Sequence, residues 1–361
     1  MNAKRPALCA LLGIVLVSMT PAQGAELDTR AVLDRDVPKL LADAKVPSVS
    51  IAQIRGGRIV LTAAYGTQSA GVPATDATLY NIASLTKPLT AEIVLRLASK
   101  GALRLDEPMY RTWLDPDIAK DPRAKLLTPR LALSHQTGFP NWRDTKTGLA
   151  FLHDPGTQWG YSGEGYEYVA RFAQKKTGLA FARLAQTLLF DPEGLANTSY
   201  VAQPWFDGRI AVPTDANGAA LKPELVHDFS GADLVYTTAG DYARFLVGVL
   251  KDEGLSPAIA AERVRIQADM KAQTCGGAKA ATCPPATGFG LGWQVFAFSD
   301  ETILMHTGKD AGLFTFAYLN KTTGDGAVIL TNGDKGGNVA LPILERLGTS
   351  AQFVRFLKAQ M

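Results

Sequence analysis

The sequence contains few of the residues that hold metal ions in proteins. Its 361 residues include three cysteines and four histidines. The histidines, His135, His153, His227 and His306, are far apart in the sequence and lack the close spacing of zinc ligands. We therefore expect no metal site and no other cofactor.

A strong excess of charge is also missing. The chain has 37 Lys and Arg residues against 34 Asp and Glu residues, which gives a formal net charge of +3. Proteins that bind nucleic acids or anionic lipids usually carry a basic patch or a run of Lys and Arg, and none is present. We expect no nucleic-acid partner. The composition, 47% hydrophobic and 20% charged, is typical of a globular protein with a large core.

Long apolar runs are missing except near the N terminus. Residues 7–19 are an apolar run that follows Lys4 and Arg5 and precedes small residues. A run of about a dozen residues is too short to span a bilayer comfortably. This order of charge, apolar run and small residues predicts a secretory signal peptide over residues 1–24. We expect a secreted or periplasmic protein without a stable membrane anchor; a retained anchor is the alternative.

Two cysteines remain after removal of such a signal peptide. Cys9 lies in the apolar run, whereas Cys275 and Cys283 lie close together near the end of the chain's middle part. In an exported protein two such cysteines are expected to form a disulfide. Two free thiols are the alternative.

The order of predicted elements indicates an α+β fold. Residues 48–55 and 58–65 are β-rich runs joined by two glycines, which predicts a hairpin. Residues 102–285 alternate helical stretches with loops, and short apolar strands return near residue 287. The simplest packing is one antiparallel sheet covered by helices, built from residues 25–101 and 286–361. The mostly helical domain 102–285 is then inserted between its halves.

Further elements follow from the same patterns. Helices are predicted at 26–45, 84–100, 166–176, 181–189, 240–251, 338–347 and 352–358, and strands at 288–296, 301–307, 313–319 and 326–331.

Ser84 and Lys87 begin the strongest helical segment. Residues three apart share one face of a helix, so the Ser84 hydroxyl and the Lys87 amine can meet. A serine hydroxyl becomes a good nucleophile only when a neighbour takes its proton, and a desolvated lysine can do so because burial lowers its pKa. Alone this pair is a weak signal, since serine is also a common helix cap.

Two further motifs follow in the chain. Tyr161-Ser162-Gly163 lies on a loop just before a helix, and His306-Thr307-Gly308 ends an apolar strand. Lys146-Thr147-Gly148 and Lys176-Thr177-Gly178 resemble the last motif, but neither is predicted on a strand, so we interpret them as structural.

With these three motifs in this order, the chain resembles the serine β-lactamases and penicillin-recognising D,D-peptidases. The similarity is to the branch that holds class C β-lactamases, related esterases and D-amino-acid peptidases. It covers nearly all of the chain after residue 24. Flanking stretches that also resemble this branch are 105–108, 133–140, 197–200 and 288–293.

The resemblance implies roles for these residues. Ser84 attacks a carbonyl carbon, and Lys87 and Tyr161 move its proton. The backbone N–H groups of Ser84 and Lys309 form an oxyanion hole. Gly163 and the segment His306-Thr307-Gly308 line the substrate site.

Two positions depart from the class C pattern. Gly163 stands where an asparagine is usual, and His306 stands where a lysine is usual. A glycine has no side chain to bind a substrate amide, and an ordinary histidine is largely neutral near pH 7. Both changes weaken the case for efficient β-lactam turnover.

We therefore predict a secreted serine hydrolase that cleaves an ester or a D-amino-acid peptide through an acyl-enzyme. A β-lactamase and a non-catalytic protein that binds peptidoglycan fragments are the alternatives. We expect a monomer that acts on a small molecule or a peptide, with a neutral to alkaline pH optimum. His135 is expected to be structural, and Glu164 to be a solvated residue near Tyr161.

Overall fold

The computed structural model describes residue 1 and residues 21–360, apart from the side chains of residues 21–27 and 278. Most of the predicted signal peptide, residues 1–24, lies outside the described residues. In the described part of the chain, no helix is both long and apolar enough to cross a membrane.

A nine-stranded sheet dominates the described residues, with neighbouring strands antiparallel. Its strand order is β3-β2-β1-β11-β10-β9-β8-β7-β6, so strands from both ends of the chain pair directly at β1 and β11. The predicted α+β fold with an antiparallel sheet is confirmed. The exact boundaries of the two predicted domains stay a prediction. The strands are β1 Ser48–Arg55, β2 Arg58–Ser69, β3 Val72–Pro73, β4 Tyr80–Asn81, β5 Tyr236–Thr237, β6 Ala268–Asp269, β7 Ala286–Phe289, β8 Gln294–Ala297, β9 Thr302–Asp310, β10 Leu313–Asn320 and β11 Gly326–Thr331. β4 and β5 pair with each other in a separate two-stranded sheet.

The predicted N-terminal hairpin is present as β1 and β2. Gly56 and Gly57 join the strands, with φ angles of 53° and 75°. A two-residue hairpin turn favours positive φ at both positions, which glycine adopts without strain.

One predicted strand is wrong. Residues 288–296 form two strands, β7 and β8, that pair with each other. Between them the chain turns tightly, with the Gly290 N–H donating to the Trp293 carbonyl over 2.8 Å. Gly292 has a φ of 92°, and a Cβ at this position would lie 2.4 Å from the Cβ of Ala91. The hydrophobicity pattern does not reveal this turn, because the glycines change the backbone conformation without adding polar residues to the apolar run.

Helices cover both faces of the sheet. The predicted segment 181–189 is the short helix α5 followed by a π-helical turn at Gln186–Phe190, and each of the other six predicted helices matches one helix. The helices are α1 Pro21–Ala44, α2 Thr86–Ser99, α3 Pro129–Leu133, α4 Gly163–Thr177, α5 Phe181–Ala185, α6 Asp191–Glu193, α7 Ala239–Leu250, α8 Pro257–Val264, α9 Lys271–Thr274, α10 Gly337–Arg346 and α11 Ala351–Gln360.

Alternate residues of each central strand belong to two separate hydrophobic cores. On β11, Val328 and Leu330 pack with residues of α2, α4 and α7, whereas Ala327 and Ile329 pack with residues of α1, α10 and α11. This follows from the two-residue period of a strand, which points neighbouring side chains to opposite faces. A sheet buried on both faces is a rigid base for a site at its edge.

Candidate active site

Ser84 lies in a short 3-10 turn, Ala83–Leu85, directly before α2. Ala83 has a φ of 44°, in the left-handed region that an alanine rarely adopts. Its N–H donates to Asn81 Oδ1 over 2.8 Å, which holds the strained backbone in place. Ser84 is half-buried while its neighbours are buried, so its hydroxyl is the group of this turn that a substrate can reach.

Lys87 is fully buried beneath Ser84, as the motif predicts. Its Nζ donates to Ser84 Oγ over 2.8 Å and to the Ala232 carbonyl over 3.0 Å. Burial lowers the pKa of Lys87 to about 8, against the nearby negative charges, of which Asp233 is the strongest. A lysine with such a pKa is partly uncharged near neutral pH and can accept the serine proton.

Asp233 is a carboxyl neighbour of Lys87 that the sequence did not indicate. It follows Ala232, whose carbonyl binds Lys87, and its carboxylate acts on the lysine charge. Burial and the charge of Asp310 raise the pKa of Asp233 to about 7, and Lys87 opposes this rise. Asp233 therefore tunes the proton affinity of Lys87, although no motif connects two residues so far apart in sequence.

Tyr161 lies above Lys87 at the entrance to α4. Ser162 caps this helix by accepting the Gly165 N–H over 3.0 Å, which fixes the backbone next to Tyr161. The Lys87 Nζ lies 4.9 Å from the centroid of the Tyr161 ring. Burial raises the pKa of the Tyr161 hydroxyl, against a lowering by its hydrogen bond to Ser84, so this phenol keeps its proton at neutral pH.

His135 holds the loop that carries Tyr161. Its Nδ1 accepts the Ser162 N–H over 3.0 Å, and its carbonyl accepts the Gly160 N–H over 2.9 Å. Its ring centroid lies 4.4 Å from that of Tyr161. Burial lowers the pKa of His135 well below its usual range, so the ring is neutral. These contacts give His135 a structural role, and that role is to hold Tyr161 in position.

His306 lies on β9 and faces the site as a neutral group. It is only 4% exposed, and burial and the nearby Lys87 charge lower its pKa to about 3. Its Nδ1 lies 2.7 Å from the Thr307 carbonyl, which indicates that Nδ1 carries the proton. Its Nε2 has no hydrogen-bond partner among the described residues. His306 is therefore a buried, neutral group near Lys87 and gives the site no positive charge.

The segment after Met305 forms an open edge of the sheet. β8 pairs with β9 only from Thr302 to Met305, so the backbone of Thr307 and Lys309 has no strand neighbour on that side. Both of these residues are exposed.

Gly308 lets this open edge approach the serine turn closely. A Cβ at Gly308 would lie 2.3 Å from the Ile82 carbonyl oxygen and 3.1 Å from the Ala83 Cβ, so only glycine fits. The contact brings the open edge beside Ser84. The oxyanion role of the Ser84 and Lys309 N–H groups stays a prediction.

Trp142 occupies the space beside Gly163. A Cβ at Gly163 would lie 2.8 Å from the Trp142 ring, which leaves no room for an asparagine side chain. The Trp142 ring is 46% exposed, and its centroid lies 5.9 Å from the Lys87 Nζ. At this position the site therefore presents an aromatic surface where a class C enzyme has an amide.

The expectation of a solvated Glu164 is wrong. This residue is only 4% exposed, and it binds Arg143 through an ion pair of 2.8 Å. The Arg143 guanidinium also pairs with Asp115 over 2.9 Å. The ion pair attaches the loop carrying Trp142 to the start of α4, because Arg143 is the next residue along the chain.

The remaining predicted features lie away from the serine. Cys275 and Cys283 form the expected disulfide. Of the two Lys-Thr-Gly segments that resemble the third motif, residues 146–148 lie in a loop and residues 176–178 end α4. Within residues 21–360, no group of three His, Cys, Asp or Glu side chains is arranged to hold a metal ion.

Comparison with known proteins agrees with this geometry. The chain is 26% identical over 366 residues to esterase EstB of Burkholderia gladioli, covering 84% of this chain and 90% of the esterase. It is 26% identical over 284 residues to penicillin-binding protein 4 of Amycolatopsis lactamdurans, covering 73% and 74% of the two chains. The crystal structure of D-alanine carboxypeptidase AmpC from Burkholderia cenocepacia superposes with a TM-score of 0.71 at 20% identity, over 89% of this chain and 99% of the other.

A family model extends these similarities to most of the chain. The model described as Beta-lactamase matches residues 33–348, a span that holds all three motifs and the disulfide between Cys275 and Cys283. We conclude that the chain is a serine hydrolase and belongs to the Beta-lactamase family.

Proposed function

We propose that this protein hydrolyses an ester or a D-amino-acid peptide through an acyl-enzyme on Ser84, and that a neutral ester fits the site best. The observation that carries the proposal is the 2.8 Å hydrogen bond between Ser84 Oγ and the fully buried Lys87 Nζ. The similarity to an esterase from Burkholderia gladioli supports the same conclusion.

The proton movements follow from the ionisation of the three side chains. As Ser84 Oγ bonds to the carbonyl carbon, its proton passes to the uncharged Lys87 Nζ. When the bond to the leaving alcohol breaks, the Tyr161 hydroxyl gives its proton to that oxygen and takes one from Lys87. Water then attacks the acyl carbon and gives one proton to the uncharged Lys87. Lys87 and Tyr161 return that proton to Ser84 Oγ as its bond to the acyl carbon breaks.

Two groups in the site favour a neutral substrate. His306 is uncharged at neutral pH, so it gives a carboxylate no ion pair. Trp142 fills the place beside Gly163 where an amide would bind a peptide-like side chain. An aromatic surface binds apolar groups without requiring a hydrogen-bond partner. Both features support an ester over a carboxylate-bearing β-lactam.

The test compares two substrates on one nucleophile. The purified protein is incubated separately with p-nitrophenyl butyrate and with nitrocefin, beside Ser84→Ala and the control Ser69→Ala. We expect ester turnover that Ser84→Ala abolishes and Ser69→Ala retains, and slow or trapped β-lactam acylation seen as a mass increase on Ser84. Rapid nitrocefin turnover that depends on Ser84 would instead make this a β-lactamase. Ester turnover that survives Ser84→Ala would refute the catalytic assignment.

Export is a second part of the proposal. The signal-like residues 1–24 and the disulfide between Cys275 and Cys283 support it, because disulfides persist in oxidising compartments. We expect the protein in the periplasmic fraction with a new N terminus near residue 25, which intact mass measurement would show. A full-length chain in the cytosolic fraction would contradict export. The expected monomer stays a prediction.

A further inference from the structure

A cavity of about 760 Å³ lies on the α10–α11 side of the sheet, next to the catalytic edge. Its walls are mostly apolar side chains from two strands and two helices, including Met305 of β9, Phe316 of β10, Leu344 of α10 and Phe356 of α11. This volume falls in the range of cavities that hold small organic ligands. Neither the acyl-transfer residues nor the oxyanion positions account for it.

The cavity meets the catalytic site at the open edge of β9. Thr307 lines it, and the ring of the preceding residue, His306, has its centroid 6.3 Å from that of Tyr161. Gln294, the first residue of β8, and Trp159, two residues before Tyr161, line it from the other side. Because β8 begins opposite Met305, it does not pair with the part of β9 that holds Thr307.

Two residues of the lining carry buried nitrogen atoms without a hydrogen-bond partner among the described residues. These atoms are Trp159 Nε1 and Gln360 Nε2. A buried donor without a partner is unfavourable, and such groups in native proteins are usually explained by a water, an ion or a ligand. Both atoms are buried, however, so a ligand in the cavity does not reach them without a side-chain movement. The volume of the cavity and its mostly apolar walls therefore indicate the kind of ligand that fits.

We propose that this cavity binds an apolar arm of the substrate, an alkyl or aryl chain attached to the ester that Ser84 cleaves. The inference rests on the proposed function, since it places one part of the same substrate. The arm belongs either to the acyl group or to the alcohol, and the two have the same chemistry inside the cavity.

Two ester series test this inference and distinguish the two arms. In one series the acyl chain of p-nitrophenyl esters grows from acetate to octanoate; in the other the alcohol of alkyl acetates grows from methyl to octyl. All concentrations stay below those at which the esters aggregate. We expect kcat/KM to rise by roughly fourfold per methylene in one series until the cavity is filled. The series that shows the rise identifies the arm.

Leu341→Trp is the variant that reports on the cavity. Leu341 is half-buried on α10 and lines the cavity, so an indole there fills part of its volume. We expect the ratio of kcat/KM between the longest and shortest ester to fall at least tenfold. This ratio does not depend on the fraction of folded enzyme. The matched control is Leu126→Trp, at a residue that is 54% exposed in the turn Pro122–Leu126; it should keep the wild-type ratio.

The outcomes separate this inference from the proposed function. Acetate turnover by Ser84 with no chain-length effect in either series would overturn the inference alone. A chain-length effect that Leu341→Trp leaves unchanged would also overturn it. Absence of any Ser84-dependent ester turnover would overturn both proposals.

Discussion

The pH dependence of turnover tests whether Lys87 takes the proton of Ser84. Only the uncharged amine can accept a proton, and burial lowers the pKa of Lys87 to about 8. The negative charge of Asp233 raises this pKa, because it stabilises the ammonium form. Asp233→Asn removes the charge and keeps the shape. We therefore expect the pKa of Lys87 to fall and the acid limb of the kcat/KM profile to move to lower pH.

The size of the change follows from the fraction of uncharged Lys87. A close opposite charge shifts a pKa by about one to three. We take the lower figure because Asp233 is half-buried and has a pKa raised to about 7, so it is only partly ionised where the lysine titrates. At about pH 7.5, where most of Asp233 is ionised, a pKa near 7 leaves roughly three quarters of the lysine uncharged, against about a quarter for a pKa near 8, so the gain is at most roughly threefold. At about pH 9.5 both proteins should show equal rates.

The assay is the initial rate of p-nitrophenyl acetate hydrolysis between about pH 5.5 and 10 at constant ionic strength. Absorbance is read at the isosbestic wavelength of p-nitrophenol, and a Ser84→Ala sample gives the background. Asp228→Asn is the matched control. It makes the same substitution in the same loop, at a side chain that is 70% exposed and pairs with Arg171. Its profile should coincide with that of the wild type.

Two results would refute the reasoning. If the midpoint stays near pH 8 in Asp233→Asn, then Asp233 does not act on the group that titrates. If the wild-type profile is flat below about pH 8, then Lys87 is not the proton acceptor. A loss of activity by one factor at every pH would show that the asparagine disturbs the site geometry rather than a pKa.

Three further substitutions give separable results. His135→Ala removes the ring and the acceptor that hold Tyr161, so kcat should fall about 10²-fold with little change in KM, measured by steady-state kinetics. Arg263→Met leaves the buried Glu92 without its 3.1 Å partner and should lower the free energy of unfolding by about 3–5 kcal/mol in denaturant titrations. Adding Glu92→Leu should recover part of that loss. His306→Lys places an ammonium in the site, and the ratio of nitrocefin to ester turnover should rise.

Most helices and strands could be predicted from the sequence because they depend on local properties of the chain. The glycine pair at 56–57 marks a hairpin, and short apolar, β-rich runs mark the strands β9, β10 and β11. The error at 288–296 has the same origin. The turn at residues 290–293 exists because Gly292 packs against Ala91 of a distant helix, a contact that the local pattern does not contain.

Only those residues of the candidate site that belong to a sequence motif could be predicted. Ser84 and Lys87 are three residues apart on one helical face, so local geometry brings them together. Asp233 and Trp142 reach the same place through long loops, and neither belongs to a motif. Glu164 was misread for the same reason, since its partner Arg143 lies 21 residues away. Long-range partners decide burial, and burial decides both charge state and role.

Because Lys87 is buried, the charge of a bound substrate affects how readily this lysine accepts a proton. The low-dielectric surroundings that bring the pKa of Lys87 to about 8 also keep His306 neutral and the Tyr161 hydroxyl protonated. A carboxylate-bearing substrate would find Lys87 as the nearest buried positive charge of these three groups. It would stabilise the ammonium form, raise that pKa and reduce the fraction of lysine able to accept a proton. A neutral ester leaves the base unchanged. We therefore expect the site to discriminate against anionic substrates through its own proton acceptor, in addition to the groups that line the cleft.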